Sequence, residues 1–448
     1  MLNWRGLPYY GMKSIFGSHS WKTHLREVRN SNIKQLADRY LRNLLQHAAA
    51  NVPHYRSLCR QGDHLDKYPI LRKEEIRLRP SSFQRDDRAG RDWLTIKSSG
   101  STGEPIEVLA DWHAMGWFET ADVWYLAQML STPHWQVVSS RKARLWSQDT
   151  PPGWSAGVVR LARLLAPIIW LDPYAALSED VLLAYAHTIN KFKPTFIWAY
   201  AGVLYELAKI ALARRLRLCQ PSLIISSAET LHAFMRSIIE EAFGCRVYNI
   251  YGLAEAGCVA GECTAGNLHV LQFAVRLEVL DHEGRPVRSG DVGRVVVTPL
   301  HNYAMPLIRY DTGDTAEAGP PVCPCGSALP VLKRISGRTV EFFVRHDGSL
   351  ISGGALQSRL KDCSWILSSQ ILQEDVDRIT LRYVPIRGTP VCERDMAAAT
   401  ARIADVMGPG CRIDWEEVEE IPRTRNGKRP YARSLVWETR QPVDFWSA

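Results

Sequence analysis

An α/β fold, with a large N-terminal domain and a small α+β domain behind it, is what this sequence predicts. Three observations carry the prediction. The chain has 448 residues, too many for one ordinary core. From about residue 157 to 300, strand-like and helix-like stretches alternate, the pattern of a parallel sheet wrapped by helices. Near 334–340 the pattern changes: Ser336-Gly337-Arg338 precedes a fresh strand at Val340-Glu341-Phe342-Phe343-Val344, and a mixed tail of about 110 residues follows. The expected domains are 1–337 and 338–448.

Residues 31–60 read as a helix and its exit. Ser31 or Asn32 caps it, Leu36, Tyr40, Leu44 and Ala48 fall on one face, and Pro53 ends it. Residues 68–76 read as a turn into a short helix. Between the strand-like stretches 93–96 and 106–109 lies Ser98-Ser99-Gly100-Ser101-Thr102-Gly103. Backbone this free of side chains can wrap its N–H groups around phosphate oxygens, with the hydroxyls as further donors. It is not a P-loop of the Gly-x4-Gly-Lys kind, and alone it reads more readily as a plain surface turn. Residues 112–130 predict a long buried helix, and the tryptophans at 112, 117, 124, 135, 146 and 154 predict core packing. Beyond them, 181–191 and 201–218 predict helices, while 195–198, 223–225, 246–250 and 294–297 predict strands. Ligand loops are expected at the strand C-termini. The tail predicts a hairpin at His346-Asp347-Gly348, a strand over 379–384 and a helix over 393–407.

A charged fraction of 23% and a hydrophobic fraction of 46% describe a soluble globular chain. The net charge of +8 is local, since residues 1–100 hold 19 Lys and Arg against 9 Asp and Glu. No reader motif accompanies that basic stretch, which argues against nucleic acid. Nothing at the start resembles a signal peptide, and the apolar run 164–171 is short and broken by Pro167, so no membrane insertion is expected. Ten cysteines in a chain of this size make no disulfide scaffold and point to a reduced, cytoplasmic setting.

Four further stretches carry chemistry: Ser226-Ser227-Ala228-Glu229, Tyr248-Asn249-Ile250-Tyr251-Gly252-Leu253-Ala254-Glu255, Arg309-Tyr310-Asp311-Thr312-Gly313-Asp314 and Pro422-Arg423-Thr424-Arg425-Asn426-Gly427-Lys428. Each alone has an ordinary explanation: a strand-to-helix turn, an Asx-rich turn, a solvated loop. Together and in this order they resemble the adenylate-forming superfamily of acyl- and aryl-CoA ligases. Within it they are most similar to the phenylacetate–CoA ligase branch and its relatives from polysaccharide and secondary-metabolite pathways. There the loop reads Ser-Ser-Gly-Ser/Thr-Thr-Gly-x-Pro, Ser-Ala-Glu recurs, and Arg-Tyr-x-Thr-Gly-Asp replaces Tyr-Arg-Thr-Gly-Asp.

The resemblance implies a large ATP- and acid-binding domain with a small mobile one behind it, and a role for each matching residue. Ser98, Ser99, Gly100, Ser101, Thr102 and Gly103 would hold the β- and γ-phosphates. Ser227, Ala228, Glu229, Asn249, Tyr251 and Gly252 would border the nucleotide, with Tyr251 against the adenine. Glu255 would bind Mg²⁺, Asp314 the ribose hydroxyls, Arg338 would sit at the hinge, and Lys428 would reach the α-phosphate. Tyr200, Ala201, Gly202 and Ala254 would border the acid. A carboxylate attacking ATP brings an anion to a polyanion, so positioning and cationic stabilisation by Lys428 and Mg²⁺ suffice. Three positions depart from the family: Ala254 replaces a hydroxyl residue, Thr339 replaces an acidic hinge residue, and Ser352-Gly353-Gly354 matches the second-step loop only loosely.

Cys263-x5-His269 and Cys323-Pro324-Cys325-Gly326 supply two pairs of soft ligands, with Cys258 in reserve. Cys-x-Cys is tighter than zinc's usual Cys-x2–4-Cys, so buried free thiols are the alternative. Cys-Pro-Cys-Gly is also a zinc knuckle in several members of the branch, which implies a structural Zn²⁺. The expected function is ATP-dependent activation of an aryl or apolar carboxylic acid with transfer to coenzyme A. The alternatives are transfer to a carrier-protein thiol, an amine or a sugar, and a nucleotide-binding protein without turnover. A homodimer is allowed.

Overall fold

The computed structural model describes residues 20–56, 58, 64–86, 93–97, 106–146, 167–172, 179–338, 342–360, 362–408, 410–421 and 431–440. The glycine loop at 98–103, Trp154, Thr339 and the loop bearing Lys428 lie outside them. The principal elements begin with α1 (Ser20–Asn30), α2 (Ile33–Asn51), α3 (Lys73–Leu78), β1 (Leu94–Lys97), β2 (Glu107–Ala110) and α4 (Trp112–Leu130). There follow β3 (Lys142–Leu145), β4 (Ile168–Leu171), α5 (Glu179–Phe192), β5 (Phe196–Tyr200), α6 (Ala201–Ala213), β6 (Leu223–Ser227) and α7 (Ala233–Phe243). Strands then dominate: β7 (Val247–Leu253), β8 (Gly257–Glu262), β9 (Leu268–Val270), β10 (Val275–Leu280), β11 (Val292–Pro299), β12 (Tyr310–Ala318) and β13 (Val331–Arg338). The tail holds β14 (Phe342–Val344), β15 (Leu350–Ser352), β16 (Ile366–Asp375), β17 (Arg378–Pro385), α8 (Glu393–Met407), β18 (Arg412–Glu417) and β19 (Ala432–Ser434). No described helix is long and apolar enough to cross a membrane.

The described residues group into two compact units, one from 1–141, 149–168 and 248–336, the other from 142–148, 169–247 and 337–448. In the first, α2 starts as its sequence predicts: the Asn32 side chain accepts from the Gln35 N–H, and Leu36, Tyr40, Leu44 and Ala48 are buried. Its strands run in the order β10-β11-β12-β13-β9-β8-β7. Here the expectation of a parallel sheet fails, because the pairs β10/β11, β11/β12, β13/β9, β9/β8 and β8/β7 are antiparallel. The strand–helix alternation stops at β7. Tyr251-Gly252-Leu253 continue that strand, the chain turns through Ala254-Glu255-Ala256 and returns as β8, so a hairpin replaces the strand-to-helix turn. Gly257 closes the turn with φ 69°, and a Cβ there would lie 2.8 Å from the Phe118 ring.

The tryptophans divide. Trp117 of α4 is 2% exposed and stacks between His24 and His301, with ring centroids 4.1 and 3.7 Å away. Trp112 and Trp135 are 38% and 37% exposed, so these two do not pack the core as expected.

In the second unit the predicted parallel sheet is present: β5 pairs in parallel with β3 on one side and β6 on the other. Leu182, Ala186 and Ile189 of α5, with Leu204, Leu207 and Ala211 of α6, cover one of its faces. Helix α6 ends at 213 rather than 218, because Arg215 turns left-handed at φ 52° and the Leu216 N–H closes back on the Ala211 carbonyl. In the tail the strand order is β18-β17-β16-β19. Ala399, Ile403 and Met407, spaced by four on α8, pack with Ile371, Ile379 and Leu381 in a core of their own.

Arg309 has a structural task in the first unit. Its guanidinium binds Glu278 through two bonds of 3.1 Å and the Tyr68 carbonyl at 2.9 Å, and its backbone is left-handed at φ 52°. On either side, the Arg309 carbonyl accepts from the Leu71 N–H at 2.8 Å and the Asp311 N–H donates to the Leu71 carbonyl at 2.9 Å. The Pro69-Ile70-Leu71 stretch is thereby tied to β12. Arg309→Met should reduce the unfolding free energy by about 3 kcal/mol in urea titrations, and Arg309→Met with Glu278→Met by less, since the double change leaves no half-buried carboxylate without its partner.

Candidate functional site

Two buried carboxylates mark the first unit. Asp314, 5% exposed, sits on β12, where its Oδ2 accepts from the Tyr251 hydroxyl of β7 at 2.8 Å. The Asp314 N–H donates to Thr312 Oγ1 at 3.1 Å, and that hydroxyl donates to the Val295 carbonyl at 3.0 Å. Glu255, 4% exposed, lies in the β7–β8 turn and accepts from the Tyr310 hydroxyl at 3.0 Å. Burial first, and then the Glu255 charge, hold the Tyr310 phenol well above its ordinary range, so it remains a donor. No described cationic side chain pairs with Glu255, an arrangement that suits a bound divalent cation.

Asn249, Tyr251 and Gly252 lie on β7, and Ala254 is exposed at the turn. The Asn249 backbone N–H donates to Glu262 Oε2 at 2.7 Å. Its side-chain Oδ1 is buried and meets no described donor, so it can receive one from a ligand.

The second unit gathers the other predicted residues at the C-terminal ends of β5 and β6. Ser227 closes β6, and Ala228 follows with φ 68°, a left-handed backbone that a residue with a Cβ adopts at some cost. Glu229 then accepts from the Gly202 N–H at 2.8 Å, so its carboxylate caps the first turn of α6. Tyr200 packs on Trp146 with ring centroids 4.3 Å apart, and Ala201 is fully buried. Strand β3 of the same sheet carries a cation, Arg144. The Arg144 guanidinium lies 5.4 Å from the ring centroids of both Trp170 and Trp198, and its Nε is buried with no described acceptor. Its place between two tryptophans comes from the β3–β5 register, Arg144 opposite Trp198, which no local pattern shows.

The soft ligands converge. The ligand atoms of Cys263, His269, Cys323 and Cys325 lie within 4.8 Å of one another. Cys263 and Cys323 sulfurs are 3.7 Å apart, too far for a disulfide and equal to the tetrahedral edge of about 3.7 Å that Zn–S bonds of about 2.3 Å imply. His269 Nδ1 faces the Leu329 carbonyl at 3.1 Å, which turns Nε2 towards Cys325 Sγ, also at 3.1 Å. Asn267 donates to Cys323 Sγ at 3.4 Å. The four residues fit a structural zinc ion, and Leu329 and Asn267 are supports that the sequence did not flag. Cys258 is buried on β8 and is not one of the four.

Arg338 ends β13. Of the predicted residues, Ser98 to Gly103 and Lys428 lie outside the described ones.

The AMP-binding enzyme family matches residues 56–301, and the CapK C-terminal domain matches 343–433. Protein CapK of Staphylococcus aureus is 26% identical over 274 residues, 59% of this chain but only 58% of that protein's length. Phenylacetate-coenzyme A ligase of Thermus thermophilus is 24% identical over 345 residues, 72% of this chain and 74% of the relative. Among solved structures, 2-hydroxyisobutyryl-CoA ligase in the postadenylation state superposes with a TM-score of 0.68 at 19% identity, covering 90% of this chain and 89% of that one, a likeness of fold. The chain therefore belongs to the AMP-binding enzyme family of adenylate-forming proteins, on the branch that holds CapK and the phenylacetate–coenzyme A ligases.

Proposed function

We propose that the chain is an ATP-dependent, AMP-forming acid–thiol ligase. In the first half-reaction an oxygen of the acid attacks the α-phosphorus of ATP, the bond to the β-phosphate breaks, and pyrophosphate leaves with the electron pair. In the second, the thiolate of coenzyme A attacks the acyl carbon and AMP leaves. The observation that carries this reading is the pair of phenol–carboxylate contacts, Tyr251 to Asp314 and Tyr310 to Glu255, on the motifs that the family uses for nucleotide. Asp314 takes the ribose hydroxyls while Tyr251 orients it and lies along the adenine, whose amino group satisfies the buried Asn249 Oδ1. Glu255 would hold Mg²⁺, which supplies positive charge beside the phosphates. Ser98 to Gly103 and Lys428, outside the described residues, would act on the phosphates, and the division into 1–337 and 338–448 is our reading of which part moves between half-reactions.

A second acceptor class has its own support. Residues 343–433 match the CapK C-terminal domain, so a carrier-protein thiol, an amine or a sugar of polysaccharide synthesis is the alternative acceptor. Pyrophosphate exchange across a panel of acids tests the first half-reaction, and acyl transfer to coenzyme A against amine and sugar acceptors tests the second.

Three outcomes follow from these roles. Lys428→Ala should lose about 10²–10³-fold in pyrophosphate exchange, the scale of a removed transition-state donor, with thiolysis of supplied acyl-adenylate unchanged. Equal losses in both half-reactions would count against the moving domain.

Zinc in the Cys263, His269, Cys323, Cys325 site would tie the strand after Glu255 to the segment before β13. Purified protein should then carry about one zinc per chain, and Cys323→Ser should lower both zinc content and melting temperature. Metal-free protein with an unchanged melting temperature would refute this.

The site expected to border the acid, built from Trp198, Tyr200, Ala201 and Gly202, favours a flat or compact acid. An unpaired buried charge costs several kcal/mol, roughly, whereas one methylene changes binding by only about 1–3 kcal/mol. Benzoates and phenylacetates should support exchange, with tolerance among near analogues; free amino acids and dicarboxylates should be poor. Strong exchange with an amino acid and none with aryl acids would overturn this choice.

A further inference from the structure

The tail of the second unit is seated along the whole of α6. At the far end of the helix, Arg214 Nη2 donates to the Arg387 carbonyl at 2.6 Å. In the middle, Lys209 Nζ donates to the Ile366 carbonyl. Leu367 and Ile386 are buried in the same apolar cluster as Leu204, Leu207 and Ala211 of the helix. At the first turn the contact is of another kind. The Tyr431 phenol occupies the space that Gly202 leaves by having no side chain. A Cβ built on Gly202 would lie 2.2 Å from Tyr431 Oη, 3.1 Å from its Cζ and 3.0 Å from Glu229 Oε2. No residue other than glycine admits the phenol there without displacement.

Tyr431 is held at both ends. Its carbonyl accepts from the Ile371 N–H at 2.8 Å, and the next residue, Ala432, opens β19 in parallel register with Ile371 on β16. Its ring reaches the Gly202–Glu229 corner, where the Gly202 N–H is already bonded to Glu229 at 2.8 Å. Lys428 is three residues upstream, so its Cα can be no more than about 11 Å from that of Tyr431. Fixing Tyr431 limits the positions open to Lys428. Core packing alone would place an apolar side chain at 431 and would not require glycine at 202.

We propose that Tyr431 is a positioning residue for adenylation: its phenol docks in the notch at Gly202, against Glu229, and fixes the chain three residues after Lys428. The proposal rests on the ligase reading and adds to it a contact between the tail and the residues expected to border the acid.

Half-reaction kinetics with a mutant cycle test it. Tyr431→Ala should lower the turnover of pyrophosphate exchange by about 10²-fold, the cost of a catalytic group displaced by about 1 Å, with little change in KM for the acid. Thiolysis of supplied acyl-adenylate should be unchanged, which a merely folded-state role for Tyr431 would not produce. Gly202→Ala should also slow exchange, and adding Tyr431→Phe to it should recover part of the loss, because the missing oxygen relieves the closest contact. Equal losses in both half-reactions, a change confined to KM, or simple additivity would overturn the proposal. If the wild-type chain exchanges with no acid, the ligase reading falls, and amide hydrogen exchange then decides the docking alone. Faster exchange at residues 201–204 in Tyr431→Ala would support the contact; unchanged exchange would overturn it.

Discussion

A carboxylate taken out of water loses more solvation than most single contacts return, and the first unit buries two of them, Glu255 and Asp314. Each accepts from a phenol: Glu255 from Tyr310 and Asp314 from Tyr251. A phenol supplies one hydrogen bond and no charge. Glu255 therefore keeps the capacity to hold a cation, which a guanidinium clamp would have used up. The contrast lies in the same motif. Arg309 spends its fork on Glu278 and the Tyr68 carbonyl, and that ion pair supports the fold.

Rigid backbone makes these contacts repeatable. Tyr251 and Tyr310 stand on neither loop nor helix but on β7 and β12, and the Leu71 segment is laddered to Arg309 and Asp311. The soft-ligand cluster has the same character, with Cys263 and His269 on one side and Cys323 and Cys325 on the other brought together across about fifty residues of chain. Of the five described non-glycine residues with positive φ, two, Ala228 and Arg309, lie inside the family motifs.

Much of the second unit's sheet and of the tail was legible in the sequence. The helix over 393–407 is found over those residues, because Ala399, Ile403 and Met407 mark a face by local spacing. β5 and β6 follow from apolar runs bounded by turns, with their ends shifted by one or two residues. The antiparallel strands of the first unit were less legible. An apolar run such as 294–297 predicts a strand but does not say which neighbour it pairs with or in which direction. The exposed Trp112 and Trp135 show the same limit, since large apolar residues are common on surfaces and composition does not rank them.

By itself the sequence determined the family, the order of the motifs, the set of four soft ligands and the cap of α2. All of these are written in residue identity and short spacing. Only the tertiary structure decided that Glu255 sits in a hairpin rather than at the start of a helix, and that Tyr310 reaches it across 55 positions. It alone placed Arg144 between two tryptophans, Glu229 on the first turn of α6 and Tyr431 in the space at Gly202. Contacts between residues so far apart depend on register, strand direction and the absence of a single Cβ. None of these leaves a local signal, because each is settled by how whole elements pack.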